Sequence, residues 1–423
     1  MRSPARPRLS SEPPGRSQGD CRCLQDGACP VSEPRRISWS EAGEDRSARW
    51  RSESGALPPK RVVIAGDTLT ADAAFRLASE GTGMLWRGDF QNARLLLQAL
   101  ARRIDKPRKA KKAKAAVSTL PPSPADTFNL YRQAQSQRAR TLAMLLIEFE
   151  GTHHITLRRA PHVVQACSEA YGPGDAAQGN YVAPLRELQG LIGAHEWRKK
   201  GLAIAALDGE RIHPHYGVFA PLRGDYMELL AQAPLPPALS AGGVAFDIGT
   251  GTGVLAALLV RRGVARVVAT DQDPRALACA RENLARLVPG GQVELVQGDL
   301  FPVGVAALVV CNPPWLPARP SSPIEHAVYD PDSRMLRGFL NGLAAHLALG
   351  GEGWLILSDL AEHLGLRSRA DLLGWMDAAG LQPLHRLDVD PIHPKADDLT
   401  DPLHAARSAE ITSLWRLGVK TAA

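Results

Sequence analysis

The chain has little cysteine, six residues in 423, which excludes a disulfide-stapled scaffold at this length. Aromatic residues make up only 5%. No apolar stretch approaches the ~18 residues of a membrane-spanning helix, so no membrane partner is expected. The first 20 residues are rich in Arg, Pro and Ser without an apolar centre, so no secretory leader is expected. The expected location is therefore the cytoplasm. Several catalytic signatures are also missing: G-x-S-x-G, H-E-x-x-H and the phosphate loop G-x-x-x-x-G-K-[ST]. Cys21, Cys23 and Cys29 form a C-x-C-x5-C run, but no histidine lies nearby and the usual zinc spacings are not met. No metal is expected. A hydrophobic content of 44% with 22% charged residues excludes a wholly disordered chain.

The net charge of +6 is unevenly placed. Residues 1–125 hold 23 Lys and Arg against 13 Asp and Glu, a net of +10, and the remaining 298 residues are net −4. The basic character thus belongs to the N-terminal third. Residues 1–60 are rich in Pro, Ser, Arg and Glu and poor in aliphatics, and are expected to be a disordered tail. Residues 61–105 read as a helical segment, with Thr68 or Thr70 as a cap and Phe75, Leu85, Trp86, Leu96 and Leu100 among its apolar positions. Residues 106–125 join a Lys/Arg run (Lys106 to Lys114) to a Pro-rich break. A solvated linker is favoured there over a phosphate-contacting arm. Residues 126–200 read as a helical N-terminal domain in which Leu142–Phe149 is the most apolar stretch. His153 and His154 are adjacent and cannot face one metal, so surface positions are expected for them. Residues 201–240 supply a hairpin around Asp208-Gly209 and a connector.

From residue 241 to 423 the pattern becomes strand, glycine loop, helix, repeated. Strands are expected at Val244–Ile248, Ala265–Thr270, Val293–Gln297, Ala306–Cys311 and Trp354–Ser358. Leu384–Val389 and Glu410–Leu417 are expected as a late pair. Alternation of this kind implies an α/β fold with a mostly parallel sheet and helices on both faces.

Chemistry gathers at the ends of four of these strands. Phe246-Asp-Ile-Gly-Thr-Gly-Thr-Gly-Val254 leads a strand into three glycines (Gly249, Gly251, Gly253) and then a helix. Glycine allows a tight turn and close approach of a ligand, and the helix start offers free N–H groups to an anion. A dinucleotide fingerprint would need glycine at 254, which is Val. Asp271 ends the next strand, 18 residues after Gly253, and Asp273 is the better helix cap. Gln297-Gly-Asp299-Leu follows the third strand. Asn312-Pro313-Pro314-Trp315 follows the fourth. Cys279 and Cys311 fall in a helix and a strand, where a small buried hydrophobe is the default. His213-Pro-His215 is assigned to the hairpin.

The glycine loop resembles motif I of class I S-adenosylmethionine (SAM)-dependent methyltransferases. This resemblance implies a Rossmann-like SAM-methyltransferase sheet with SAM as methyl donor. Asp247, Gly249, Thr250, Gly251 and Gly253 would hold its amino-acid end, Asp271 the ribose hydroxyls and Asp299 the adenine. Asn312-Pro313-Pro314-Trp315 resembles the (D/N/S)-P-P-(Y/F/W) motif of amino-group methyltransferases, and Asn312 is expected to border both cofactor and acceptor. The resemblance implies a planar nitrogen as acceptor: an exocyclic base amine or a glutamine side-chain amide. The Asn312 oxygen and the Pro313 carbonyl would accept its N–H groups, with the two prolines fixing that carbonyl and Trp315 offering a flat face.

Upstream, Gly217-Val-Phe-Ala-Pro-Leu-Arg-Gly-Asp-Tyr-Met-Glu-Leu-Leu230 resembles the entry to the catalytic domain of HemK-type glutamine methyltransferases. Pro221, Arg223, Asp225 and Glu228 are the matching positions. Leu222 interrupts the Pro-Arg pair, and Tyr329–Leu336 departs from that family's text. That resemblance implies a mainly helical domain and a β-hairpin ahead of the SAM core. Three functions stand open: methylation of a protein side-chain amide, methylation of an exocyclic amine in RNA or DNA, and a non-catalytic SAM-fold binding module. A protein acceptor is favoured, because the part carrying the motifs is slightly acidic. The sequence does not fix an oligomeric state.

Overall fold

The computed structural model describes residues 35–106, 122–240, 242–320, 323–391 and 394–420. The first half is a six-stranded mixed sheet. Its strands are β1 (Arg36–Glu41), β2 (Glu44–Trp50), β3 (Arg61–Ala65), β4 (Thr82–Trp86), β5 (Leu145–Phe149) and β6 (Tyr181–Pro184), in the order β1-β2-β6-β5-β4-β3. Five helices accompany them: α1 (Ala71–Ser79), α2 (Phe90–Asp105), α3 (Pro124–Leu142), α4 (Val164–Tyr171) and α5 (Leu185–Lys200). Thr70 caps α1, accepting from Ala73 N, and Asp89 caps α2, accepting from Gln91 N. Ser123 caps α3, with Pro124 in its first turn.

This corrects three expectations. Helices supply most of the regular structure of the first half, as expected, but they pack on a sheet that was not expected, because β4 and β5 run through stretches read as helix. Both are buried on both faces (Thr82 to Trp86 throughout, Leu145 to Ile147 and Phe149), and such a run has neither the period of a strand nor that of an amphipathic helix. The expected tail ends earlier than residue 60. Ile37 and Trp39 of β1 and Ala48 and Trp50 of β2 are buried against Leu85, Leu146 and Val182, so a polar-looking hairpin covers one sheet face. His153 is buried rather than on the surface. Its ring pairs with the Tyr181 hydroxyl at 3.1 Å and the Gly172 carbonyl at 3.0 Å. The cysteine run at 21–29, the rest of the tail to residue 34 and the basic stretch 107–121 lie outside the described residues.

Deleting residues 35–59 should therefore be costly. Four apolar side chains are lost from a shared cluster, at roughly 1.5–3 kcal/mol for each large one. A chain starting at Lys60 is expected to melt on the order of 10 °C lower or to lose its cooperative transition. An unchanged melting curve by circular dichroism would contradict the described sheet.

The hairpin is a two-residue pair, β7 (Leu202–Ala203) with β8 (Arg211–Ile212). Helices α6 (Asp225–Gln232) and α7 (Pro237–Ser240) lead into the second sheet. Its strands are β9 (Val244–Ile248), β10 (Arg266–Asp271), β11 (Val293–Gln297), β12 (Ala306–Cys311), β13 (Leu347–Ser358), β14 (Leu381–Val389) and β15 (Thr412–Val419). The order is β11-β10-β9-β12-β13-β15-β14, with β15 antiparallel to both neighbours. Helices α8 (Val254–Arg261), α9 (Pro274–Leu287), α10 (Arg334–His346), α11 (Leu360–His363), α12 (Arg369–Ala378) and α13 (His404–Ser408) complete the domain. Clusters on both faces bury the sheet. The strand order reverses between β9 and β12, and in open α/β sheets ligands bind at the carboxyl ends beside such a switch point. The fold is the Rossmann-like α/β arrangement expected from the sequence. Among the described residues, no helix is long and apolar enough to cross a membrane.

Candidate active site

Register brings the four motifs side by side. Ile248 pairs with Thr270 on β10 and with Cys311 on β12, and Asp271 pairs with Gln297 on β11. The glycine loop, Asp271, Asp299 and Asn312 thus leave the same edge of the sheet.

The loop is built by backbone geometry. Gly249, Gly251 and Gly253 have φ of +74°, +55° and +82°, where an L side chain is strained. Among the described residues a Cβ added at Gly251 would meet nothing within 4 Å, and one added at Gly249 would meet only the Met335 Cε. Gly253 packs on Leu284 and Ala280 of α9. Asp247 stands beneath the loop, fully buried. Its Oδ2 accepts from Thr250 Oγ1 at 2.6 Å and from Ala256 N at 3.1 Å, and its Oδ1 has no partner among the described residues. Asp271 holds the loop from the side. Its Oδ2 accepts from Gly251 N at 3.0 Å and its Oδ1 from Asp273 N at 2.9 Å. A carboxylate has about four acceptor directions, so two remain for a diol. Asp273 caps α9, accepting from Arg275 N with Pro274 in the first turn. Asp299 is exposed and paired with Arg334 at the start of α10.

These residues fit SAM: an open glycine cradle, a part-buried acid at a strand tip and an orphaned buried carboxylate oxygen suited to a cationic amino group. Burial pushes the Asp247 carboxyl up to about 6, against the Thr250 and Ala256 donors. Burial also raises Asp271, opposed by its backbone donors. For Asp247 the folded chain binds the proton more tightly than the unfolded one, so its contribution to stability is present below about pH 4 and is lost as pH rises to about 6. Asp247→Asn removes that loss. The variant is expected to gain on the wild type between pH 4 and 6, by up to ~3 kcal/mol at about 1.4 kcal/mol per unit. Urea unfolding of both proteins across that range checks it, and a constant difference would contradict it.

On the other side of β9, Asn312 is half-buried and its Oδ1 accepts from the Trp315 indole Nε1 at 2.9 Å. The Arg223 guanidinium lies 5.2 Å from the Trp315 ring centre. Leu316 N donates to Val328 O and Asp330 N donates to Leu316 O, folding the following loop back beside the motif. Helix α3 of the first sheet's half packs on this loop. Phe128 and Tyr131 sit with Leu316 and Tyr329, and Arg132 pairs with Glu325 at 3.2 Å and lies 3.9 Å from the Tyr329 ring centre.

Two residues escaped the sequence reading. Asp330 is buried and accepts from Met335 N and Leu336 N, anchoring α10 under the glycine loop. An Asp-Pro step ahead of a helix was the available signal. Glu410 is buried and receives Arg223 and Ser358 from a strand start, which no local pattern marks. Cys279 and Cys311 are buried, with Cys279 pushed up to about 11 by burial, so neither is a poised nucleophile. His213 and His215 bond to Arg198 O and Glu282 beside the hairpin, and among the described residues no cluster suited to a metal is found.

Residues 210–364 match the family model of the methyltransferase small domain. Curated relatives agree over shorter stretches. The chain is 48% identical over 73 residues to the ribosomal protein L11 methyltransferase of Pelotomaculum thermopropionicum, covering 17% of this chain and 24% of that protein. It is 34% identical over 150 residues to the release factor glutamine methyltransferase of Cereibacter sphaeroides, covering 32% of this chain and 51% of that protein. The chain thus spans from about a quarter to about half the length of these relatives. A solved ribosomal protein L11 methylase from Lactobacillus delbrueckii subsp. bulgaricus aligns at a TM-score of 0.34 and 18% identity, covering 51% of this chain and 88% of that one.

Proposed function

We propose that this chain is a SAM-dependent N-methyltransferase whose acceptor is a planar amide nitrogen, a glutamine side chain of a protein. The observation that carries the reading is the Asn312-Pro313-Pro314-Trp315 motif at the end of β12, one strand from the glycine loop. Bound SAM supplies an electrophilic methyl group. The chain's own residues bind and orient. Asp271 accepts from the ribose hydroxyls, and the open backbone at Gly249 to Gly253 admits the amino-acid end. Asp299 accepts from the adenine amino group, which requires sharing or displacing Arg334. The Asn312 Oδ1 and the Pro313 carbonyl accept the two N–H groups of the target, and Trp315 offers an aromatic face. Drawing both hydrogens into fixed acceptors aims the nitrogen lone pair, so that catalysis is mostly positioning and preorganised electrostatics.

The names of two relatives, a ribosomal protein L11 methyltransferase and a release factor glutamine methyltransferase, support a protein acceptor. So does the net charge of −4 over residues 126–423. The test is labelled methyl transfer from SAM to purified peptide-chain release factor and to extract from cells lacking the enzyme, each divided between nuclease and protease. Label removed by protease and mapped to glutamine supports the reading. Label removed by nuclease overturns it in favour of an exocyclic base amine. No transfer beside tight SAM binding overturns it in favour of a binding module.

A further inference from the structure

We propose that Arg223 is a positioning residue of the acceptor site, acting through Trp315 to set the Asn312 amide. This rests on the amide methyltransferase reading above and assigns it a further part. An indole can only donate, so the Asn312 atom that meets Trp315 Nε1 at 2.9 Å is the amide oxygen, and this bond fixes which way the amide faces. One acceptor direction of Oδ1 is thereby used and the other is held for a target N–H. The indole packs against both apolar clusters of the sheet, and a cation lies near its ring: the Arg223 Cζ is 5.2 Å from the ring centre.

Arg223 is itself immobilised. Its Nε and Nη2 donate to Asp225 Oδ2 at 3.0 and 2.6 Å, its Nη1 to Glu410 Oε1 at 2.8 Å and its Nη2 to Thr412 Oγ1 at 3.2 Å. Asp225 and Glu410 are both buried, and Ser358 Oγ donates to the same Glu410 oxygen at 2.7 Å. The guanidinium thus joins the connector before α6 to the start of β15, and through Glu410 to Ser358 at the end of β13. Glu410 and Thr412 lie beyond the stretch matched by the methyltransferase small domain model, so this anchor comes from the last strand pair. A planar fork held by two carboxylates is rigid, whereas a lysine there keeps the charge but not the fork. A residue that fixes the rotamer of a substrate-binding group acts on turnover without touching substrate.

Arg223→Ala would strand two buried carboxylates and is a poor test, because an uncompensated buried charge unfolds a domain as readily as it disturbs a site. Arg223→Lys and Trp315→Phe are the informative variants. The first readout needs no acceptor: hydrogen exchange of the Trp315 indole N–H, its NMR signal identified by its loss in Trp315→Phe. In Arg223→Lys that proton should exchange at least about tenfold faster, while the Trp354 indole, bonded to Glu352, keeps its rate. The second readout is kcat for release factor methylation. Arg223→Lys should lower it about five- to tenfold with the SAM Kd within about twofold, and should add little in the Trp315→Phe background, where the N–H is already gone. Unchanged indole exchange in Arg223→Lys overturns the proposal, as does unchanged kcat or a full multiplication of the two single effects in the double variant. If the wild type methylates no release factor, the acceptor reading fails by itself, and the exchange measurement still decides whether Arg223 holds Trp315.

Discussion

Asn312→Ala is expected to lower single-turnover methyl transfer by about a hundredfold or more, the scale of losing one preorganised polar group. SAM affinity should stay within about threefold, because the glycine loop and Asp271 are untouched by the change. The reasoning is local. The Asn312 Oδ1 leaves the end of a fully buried strand and is already fixed by Trp315, so an acceptor is lost without a cavity forming in the core. Asn312→Asp keeps an acceptor for both the indole and the target. It should retain far more activity than the alanine variant, within about tenfold of wild type. Alanine and aspartate variants that lose equally would point to a steric rather than an accepting role. An alanine variant with full turnover would reduce the motif to a turn between β12 and the loop that follows.

The legibility of this chain divides at residue 241. The second sheet could be read because its strands are short apolar runs that end in distinctive punctuation: three glycines with positive φ, two acids and a double proline. Asp273-Pro274 marked the start of α9, and Asp271 the tip of β10. The first sheet could not be read because β4 and β5 are buried on both faces and carry no alternation. The hairpin β1–β2 shows the opposite failure. Glu44, Asp45, Arg46 and Ser47 are exposed, and Ile37, Trp39, Ala48 and Trp50 are its buried apolar anchors, so composition alone reads as tail. At the candidate site the limit was pairing rather than motif. Sequence placed Arg223 near the entry, but its partners Glu410 and Thr412 are 187 and 189 residues away, and only the antiparallel return of β15 brings them together. The same holds for Asp299, a position the sequence singled out without its pairing with Arg334.

Asp271→Ala should weaken SAM binding by roughly 1–3 kcal/mol, the scale of charge-assisted hydrogen bonds. That corresponds to a Kd about 5 to 150 times higher by calorimetry. Two effects act in the same direction. The ribose loses an acceptor. The Gly251 N–H, which the carboxylate holds at 3.0 Å, loses the group that sets the loop. Asp271→Asn separates them in part: its oxygen can still accept from Gly251, while its NH2 presents donors toward the diol and gives up the acceptor for Asp273 N. If the loop contact dominates, Asn should bind SAM nearly as the wild type does; if the ribose contact dominates, Asn should be as weak as Ala. The melting temperature supplies the control for folding: burial raises the Asp271 carboxyl, so removing it costs the unliganded fold little by charge. The unliganded protein should melt somewhat lower, because Gly251 N and Asp273 N lose their acceptor, and the sharper loss should appear in the ligand-induced rise in melting temperature. A folded Asp271→Ala protein with unchanged SAM affinity would displace the nucleoside from the tip of β10.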